Sequence, residues 1–312
     1  FEATSVDALK EALEMVSEME LRLFILGGGS NILFTSHFDG AIIHPAIDGI
    51  EVVSEDDLSV VIKVGAGVEW DSLVEHVVNK GLGGLENLSL IPGNVGASPI
   101  QNIGAYGVEV KDCIEKVEGI YISSLKPFAL SKDECNFGYR DSIFKNDLKG
   151  KVVVTHVTYK LSKNPVLITH YGNLDSELEK LGGKTLATVR QAVINVRNSK
   201  LPDPAVLGNA GSFFKNPMVD ISVVEELQKD YEKVPFYPVS ESYVKLPAGW
   251  LIEQCGWKGK KYGNVGVHKD QALVIVNYGG ANGKEVIDLA HKVRHSVMEK
   301  FNVSLEMEVN VV

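Results

Sequence analysis

The sequence predicts an α+β protein, with helices and strands that mix without regular βαβ alternation. Three observations carry this. Apolar residues recur at helical spacing in 5–19, from about 187 to Lys200, and in 283–300. β-Branched runs such as VVVTHVTYKL and QALVIVNY read as strands between them. The first half is also broken by two glycine-rich, uncharged segments, GGGSN at 27–31 and a run from Asn87 to Val108.

In chain order, SVDALKEALEMVSEM reads as a helix with Ser5 as N-cap and an apolar stripe of Leu9, Ala12, Leu13 and Val16. LRLFILGGGSN is a strand running through Ile25 into three glycines. AIIHPAIDGIEVV and LSVVIKVGAG are further strands. WDSLVEHVVNKG is a helix, for which Ser72 and Glu75 suggest a capping box and Gly81 a stop. Strand-like segments, KVEGIYI among them, fill 114–161. The helix TVRQAVINVRNSK is stopped by Pro202 and Pro204. Short helices are expected near 220–230 and 247–256. The helix at 283–300 shows Val286, Leu289, Ala290, Val293 and Val297 on one face, and VSLEMEVNV closes the chain as a strand.

Composition narrows the function. The 312 residues carry a net charge of −10, which gives no electrostatic footprint for nucleic acid. No apolar run approaches the roughly 20 residues of a membrane span, and no signal peptide is read at the start. Three scattered cysteines show no paired spacing and fit a reducing cytoplasm. His291 and His295 are read as a polar helix face and no metal is expected. Only five arginines occur, Arg22, Arg140, Arg190, Arg197 and Arg294, so an anionic ligand must draw its countercharge from these and selected lysines.

A glycine turn after a strand offers backbone N–H groups to an anion, although a plain turn would look the same. Neither Gly27 nor Gly65 starts a dinucleotide fingerprint, because Ile32 and Trp70 stand where its third glycine belongs. GGANGKE is no phosphate loop, since Glu285 replaces the magnesium-binding hydroxyl. The second uncharged segment offers Ser98, Gln101 and Asn102 as neutral partners and Ile91, Pro92 and Ile100 as apolar walls. Two such segments suit one large ligand with a diphosphate and a flat ring. FAD fits that description; an ordinary buried connection with tight turns would look similar.

ILGGGSNILF, GLENLSLIPGNVGASPIQNIGAYGVEV, CNFGYRDSIFK, KLPDPAVLGNAGSFFKNP, VKLPAGWLIEQCG and VHKDQALVIVN together resemble the UDP-N-acetylenolpyruvoylglucosamine reductases (MurB), in order and over nearly the whole chain. THYGNL and the insertion around Tyr237 are similar to the type I branch. The resemblance implies a vanillyl-alcohol-oxidase (PCMH) type FAD-binding domain plus an α+β substrate domain. Residues 1–50 would form a first FAD-binding subdomain. Residues 51–190 would form a second, with 303–312 returning to it, and 191–302 the substrate domain. An Asn-Thr-Phe-Gly-like segment ahead of the first helix would add cofactor contacts.

By the same resemblance, FAD is the cofactor and NADPH the co-substrate in the reduction of an enolpyruvyl to a lactyl ether, for peptidoglycan synthesis. FAD would lie against Gly27, Gly28, Gly29, Ser30 and Asn31, and against Pro92, Gly93, Gly96, Ala97, Ser98, Gln101, Asn102, Gly104 and Ala105. Arg140 would stabilise charge on the substrate carboxylate. Ser212 would protonate the α-carbon, and Glu308 would assist, lying on the opposite strand face from Leu305, Met307 and Val309. Tyr106, Tyr171, Arg197, Lys200, Asn216, Tyr237, Lys245 and Gln271 would hold the nucleotide sugar. NADPH and substrate taking turns at one site predicts ping-pong kinetics. A soluble, cytoplasmic monomer is expected. Rival readings are an FAD-dependent sugar or alcohol oxidase of the same fold class and a non-catalytic UDP-sugar binder.

Overall fold

Ser5 starts the first helix, Val6–Glu18, by accepting the Ala8 N–H at 3.1 Å. The predicted stripe of Leu9, Ala12, Leu13 and Val16 is buried. It packs with Ala41 and Ile43 of the strand Ala41–Pro45. That strand is central in a parallel three-stranded sheet, between Glu2–Ala3 and Leu23–Ile25. The structure, a computed structural model, describes all 312 residues. The chain forms two compact units, residues 1–30 with 39–197, and residues 31–38 with 198–312.

The first unit also holds an antiparallel five-stranded sheet, in the order Pro127–Ser131, Ile114–Tyr121, Val152–Ser162, Ser59–Gly65, Ile50–Glu55. The helix Trp70–Asn79 buries Trp70, Leu73, Val74, Val77 and Val78 in the same cluster as that sheet. Trp70 is fully buried, and its indole N–H donates to Leu88 O at 2.8 Å. The expected Ser72/Glu75 capping box is not formed. The Trp70 N–H bonds Gly93 O at 2.9 Å and the helix starts there, so Ser72 falls inside its first turn and donates to Glu69. Further on, Leu186–Lys200 packs Val189, Ala192, Val193 and Val196 on Leu174 and Leu178 of the helix Leu174–Lys180.

The second unit contains a four-stranded sheet, Gly208–Ser212, Val274–Asn277, Val265–Val267 and Lys261–Tyr262. A smaller sheet places Tyr243–Lys245 between Met218–Asp220 and Tyr237–Pro238. The helix Gly283–Phe301 opens with an Asn282/Glu285 capping box and buries the predicted face. The two short helices expected here are Ile221–Leu227 and Ala248–Gln254. The closing strand is only partly formed. Val303, Leu305 and Val309 are buried in alternation, but ladder pairing is confined to a bridge at Met307 and to Asn310–Val311. No helix is long and apolar enough to cross a membrane.

Candidate active site

In the first unit the parallel strand Leu23–Ile25 delivers the glycine turn directly. The Ser30 hydroxyl donates to Pro92 O at 3.0 Å, so the two uncharged segments singled out in the sequence meet. Their approach is too close for side chains. A Cβ on Gly28 would lie 2.6 Å from Asn94 Oδ1 and 2.8 Å from Gly93 Cα. One on Gly93, which sits at φ +117°, would lie 2.9 Å from Ser30 Oγ. The Gly29 position faces open space, with no atom within 4 Å of where a Cβ would be. A main-chain turn that is closed on one side and open on the other suits a diphosphate, so these residues fit FAD.

The second segment is held by its own polar groups. Val95 N–H donates to Val68 O and Gly96 N–H to Ala66 O, both at 2.9 Å. The Ser98 hydroxyl pairs with Tyr159 OH at 2.8 Å; burial of Tyr159 pushes its phenol pKa up. Asn102 donates to Gly138 O at 2.8 Å and to Glu109 Oε2 at 3.2 Å, and accepts the Lys111 N–H at 3.1 Å. The side chains of Ser98 and Asn102 thus fix the loop. Gln101 is half-buried beside them.

Gly104–Ala105 pairs with Val108–Glu109 across a two-residue turn, with Tyr106 at φ +48° and Gly107 at φ +84° as a type I′ turn requires. Asn87, 1% exposed, donates to Tyr106 O at 3.0 Å and to Ile168 O at 2.8 Å. A Cβ on Gly107 would lie 3.6 Å from the Tyr171 ring, so Tyr106 and Tyr171 belong to one neighbourhood. Burial pushes the Tyr106 phenol pKa up, and Arg197 partly offsets this. Arg140 donates from Nη2 to Gly104 O at 2.9 Å, while the Lys145 ammonium donates to Arg140 O at 3.1 Å. Its guanidinium is thereby held at the same hairpin.

Arg197 lies near the end of the helix Leu186–Lys200 and Lys200 is its last residue. Arg197 Nε is buried without a hydrogen-bond partner. Desolvation lowers its pKa, opposed by Tyr106 and Asp71. On the same helix Arg190 forms a two-point ion pair with Asp71, at 2.7 and 2.9 Å. The sequence reading offered Arg190 only as one of five arginines; Asp71, Asn87 and Tyr159 it did not single out.

In the second unit Ser212 ends the strand Gly208–Ser212 after an irregularity in its pairing with Val274–Asn277. Asn209 Oδ1 accepts the Gly211 N–H at 3.0 Å, and Gly211 takes φ +73°. The next residues meet the chain's last segment. Lys215 N–H donates to Glu306 O and Glu308 N–H to Phe213 O, both at 2.9 Å. Asn31 donates to Glu308 O at 3.1 Å. Ser212, Glu308 and Asn31 therefore lie on adjoining segments. Glu306 is exposed and pairs with Lys215 at 2.5 Å, whereas Glu308 is half-buried.

Asn216 caps the helix Ala248–Gln254 by accepting the Ala248 N–H at 2.9 Å. Gln271 Oε1 is 3.5 Å from where a Gly249 Cβ would be, which sets it beside the same helix start. Tyr237 and Lys245 are register partners in the small sheet. Lys200 is exposed.

A main-chain cradle fitted to FAD, joined in one chain to a second α+β unit bearing a serine and a glutamate, defines a class: oxidoreductases with an FAD-binding domain and an added substrate domain. Residues 1–121 match the FAD binding domain family, and residues 203–312 match the C-terminal domain of UDP-N-acetylenolpyruvoylglucosamine reductase. The UDP-N-acetylenolpyruvoylglucosamine reductase of Bacteroides fragilis is 52% identical over 287 residues, covering 92% of this chain and 86% of that protein. The enzyme of that name from Flavobacterium johnsoniae is 48% identical over 311 residues, covering 99% and 92%. The crystal structure of the reductase from Thermus caldophilus aligns with a TM-score of 0.65 at 25% identity, over 99% of this chain and 90% of that one. The chain belongs to the UDP-N-acetylenolpyruvoylglucosamine reductase family.

Proposed function

We propose that the protein reduces UDP-N-acetylglucosamine enolpyruvate to UDP-N-acetylmuramate, with NADPH as reductant and Ser212 as proton donor. Bound FAD would supply the hydride-transfer chemistry that links NADPH to the β-carbon of the enol ether. The chain's own residues do the rest. The Gly27–Ser30 turn and the Pro92–Ala105 segment hold the cofactor, with Asn31 adjoining. Arg140 pairs with the substrate carboxylate and stabilises the charge that develops there.

Ser212 gives its hydroxyl proton to the α-carbon, which completes addition of H⁻ and H⁺ across the double bond. A serine is a weak acid, so it serves only when held beside a developing carbanion. Glu308, on the neighbouring segment, supports that transfer. Arg197 and Lys200 bind the diphosphate. Tyr106, Tyr171, Asn216, Tyr237, Lys245 and Gln271 bind the rest of the nucleotide sugar. Work in the cytoplasm as a monomer completes the reading.

The observation that carries the serine assignment is the position of Ser212, half-buried directly after Gly211 at φ +73°. It stands on an irregular strand end next to the Glu308 segment. Ser212→Ala tests it by rapid-mixing absorbance. Bleaching of the flavin by NADPH should be unchanged, and its recovery on adding the enolpyruvyl sugar should slow at least ~100-fold. Recovery at the wild-type rate would remove Ser212 from the role.

A further inference from the structure

The Asp71–Arg190 pair lies outside the residues that the proposed function uses. Its side chains are only 20% and 12% exposed, and its geometry is the parallel two-point contact of a guanidinium on a carboxylate. Asp71 has a second partner, because its Oδ1 also accepts the backbone N–H of Leu90. Leu90 sits at φ +57°, in the left-handed region that a leucine adopts only under constraint. Two residues later come Pro92, whose carbonyl accepts the Ser30 hydroxyl, and then Gly93, which abuts Gly28. Arg190 in turn projects from the helix that carries Arg197 two turns further on.

We propose that Asp71 is a positioning residue for the cofactor. By holding Leu90 in its left-handed conformation, it fixes the approach of the Pro92–Gly93 loop to the glycine turn, and Arg190 locks the carboxylate in the orientation that does this. A carboxylate accepts both guanidinium N–H groups and the backbone amide at once, whereas an amide side chain has a single acceptor oxygen and loses the two-point grip of Arg190. Asp71 does not touch the reacting atoms; it acts through Leu90. This rests on the proposed placement of FAD against the two loops.

The test compares wild type, Asp71→Ala and Arg190→Lys, each stripped of flavin and titrated with FAD, with thermal unfolding of the apoprotein measured in parallel. Asp71→Ala removes the acceptor from Leu90 and should weaken FAD binding by about tenfold or more, the effect of losing a charge-assisted hydrogen bond. Arg190→Lys leaves the carboxylate on Leu90 and should weaken it by less than about threefold. An Asp71→Leu variant, which fills the space but offers no acceptor to the Leu90 N–H, carries the same test if the alanine variant does not fold. A merely structural ion pair would lower the unfolding temperature of both variants and leave the FAD affinity of folded protein unchanged. That result, or equal losses in Asp71→Ala and Arg190→Lys, overturns the positioning role. Wild-type protein that takes up no FAD would overturn the cofactor placement itself, a failure visible before any variant is compared.

Discussion

Gly28→Ala isolates the close approach on which the cofactor cradle depends. The added methyl would sit 2.6 Å from Asn94 Oδ1 and 2.8 Å from Gly93 Cα, where ordinary contact is about 3.5–4.0 Å. Asn94 cannot swing aside freely, since its amide donates to Gly67 O at 2.6 Å. Gly93 contributes backbone. The two segments must therefore part by roughly 1 Å, an overpacking cost of about 1–3 kcal/mol. If that cost falls on the cradle, FAD affinity drops by about 5- to 150-fold. Gly208→Ala is the control, because its Cβ would meet Asn277 Cβ at 3.7 Å, an ordinary contact, and it lies in neither cofactor loop. The assay is titration of apoprotein with FAD, followed by flavin fluorescence. Full affinity in Gly28→Ala, or an equal loss in Gly208→Ala, would refute the reasoning.

Arg140→Lys should cut turnover at least ~10-fold, since an ammonium cannot reproduce both the contact to Gly104 O and a planar grip on a carboxylate; steady-state rates near wild type would count against the assignment. Burial pushes the thiols of Cys113 and Cys135 up to about 12, so both should resist alkylation in the native protein and react after unfolding, as read by mass spectrometry. Burial opposes ionisation of Asp71, but Arg190 and the Leu90 N–H outweigh it and hold the carboxyl below its usual range. Arg197 adds to this from the same helix. The resulting stabilisation is fully present above the ordinary value of about 3.9 and is lost as pH falls through the lower folded value. Thermal unfolding of Asp71→Asn should therefore change less than that of wild type across that acid window, and identical slopes would contradict the pairing.

The helical stripes were legible because burial follows a period of 3.6 whatever the tertiary setting. Both Leu9–Val16 and Val286–Val297 lie where the pattern put them. Ser72 misled because capping depends on which backbone N–H groups are free. Gly93, distant in sequence, takes the N–H of Trp70 and moves the helix start. The terminal run 303–311 alternates as a strand should, yet Phe213 and Lys215 offer it only a short partner. At the site, the two glycine segments could be paired from composition, because a close main-chain approach leaves that signature. Asp71 could not. An acidic residue on a helix looks the same whether it faces solvent or holds an arginine and a leucine amide. Nor does a sequence reveal that Asn102 directs its amide inward.

The central claim is that one chain carries reducing equivalents from NADPH through bound FAD to an enolpyruvyl nucleotide sugar. Anaerobic half-reactions followed by visible absorbance address it most directly. The purified protein should be yellow, bleach on NADPH and regain its colour stoichiometrically on UDP-N-acetylglucosamine enolpyruvate. A protein that binds no flavin, or one whose colour returns only with oxygen while the nucleotide sugar is left unchanged, would contradict the account.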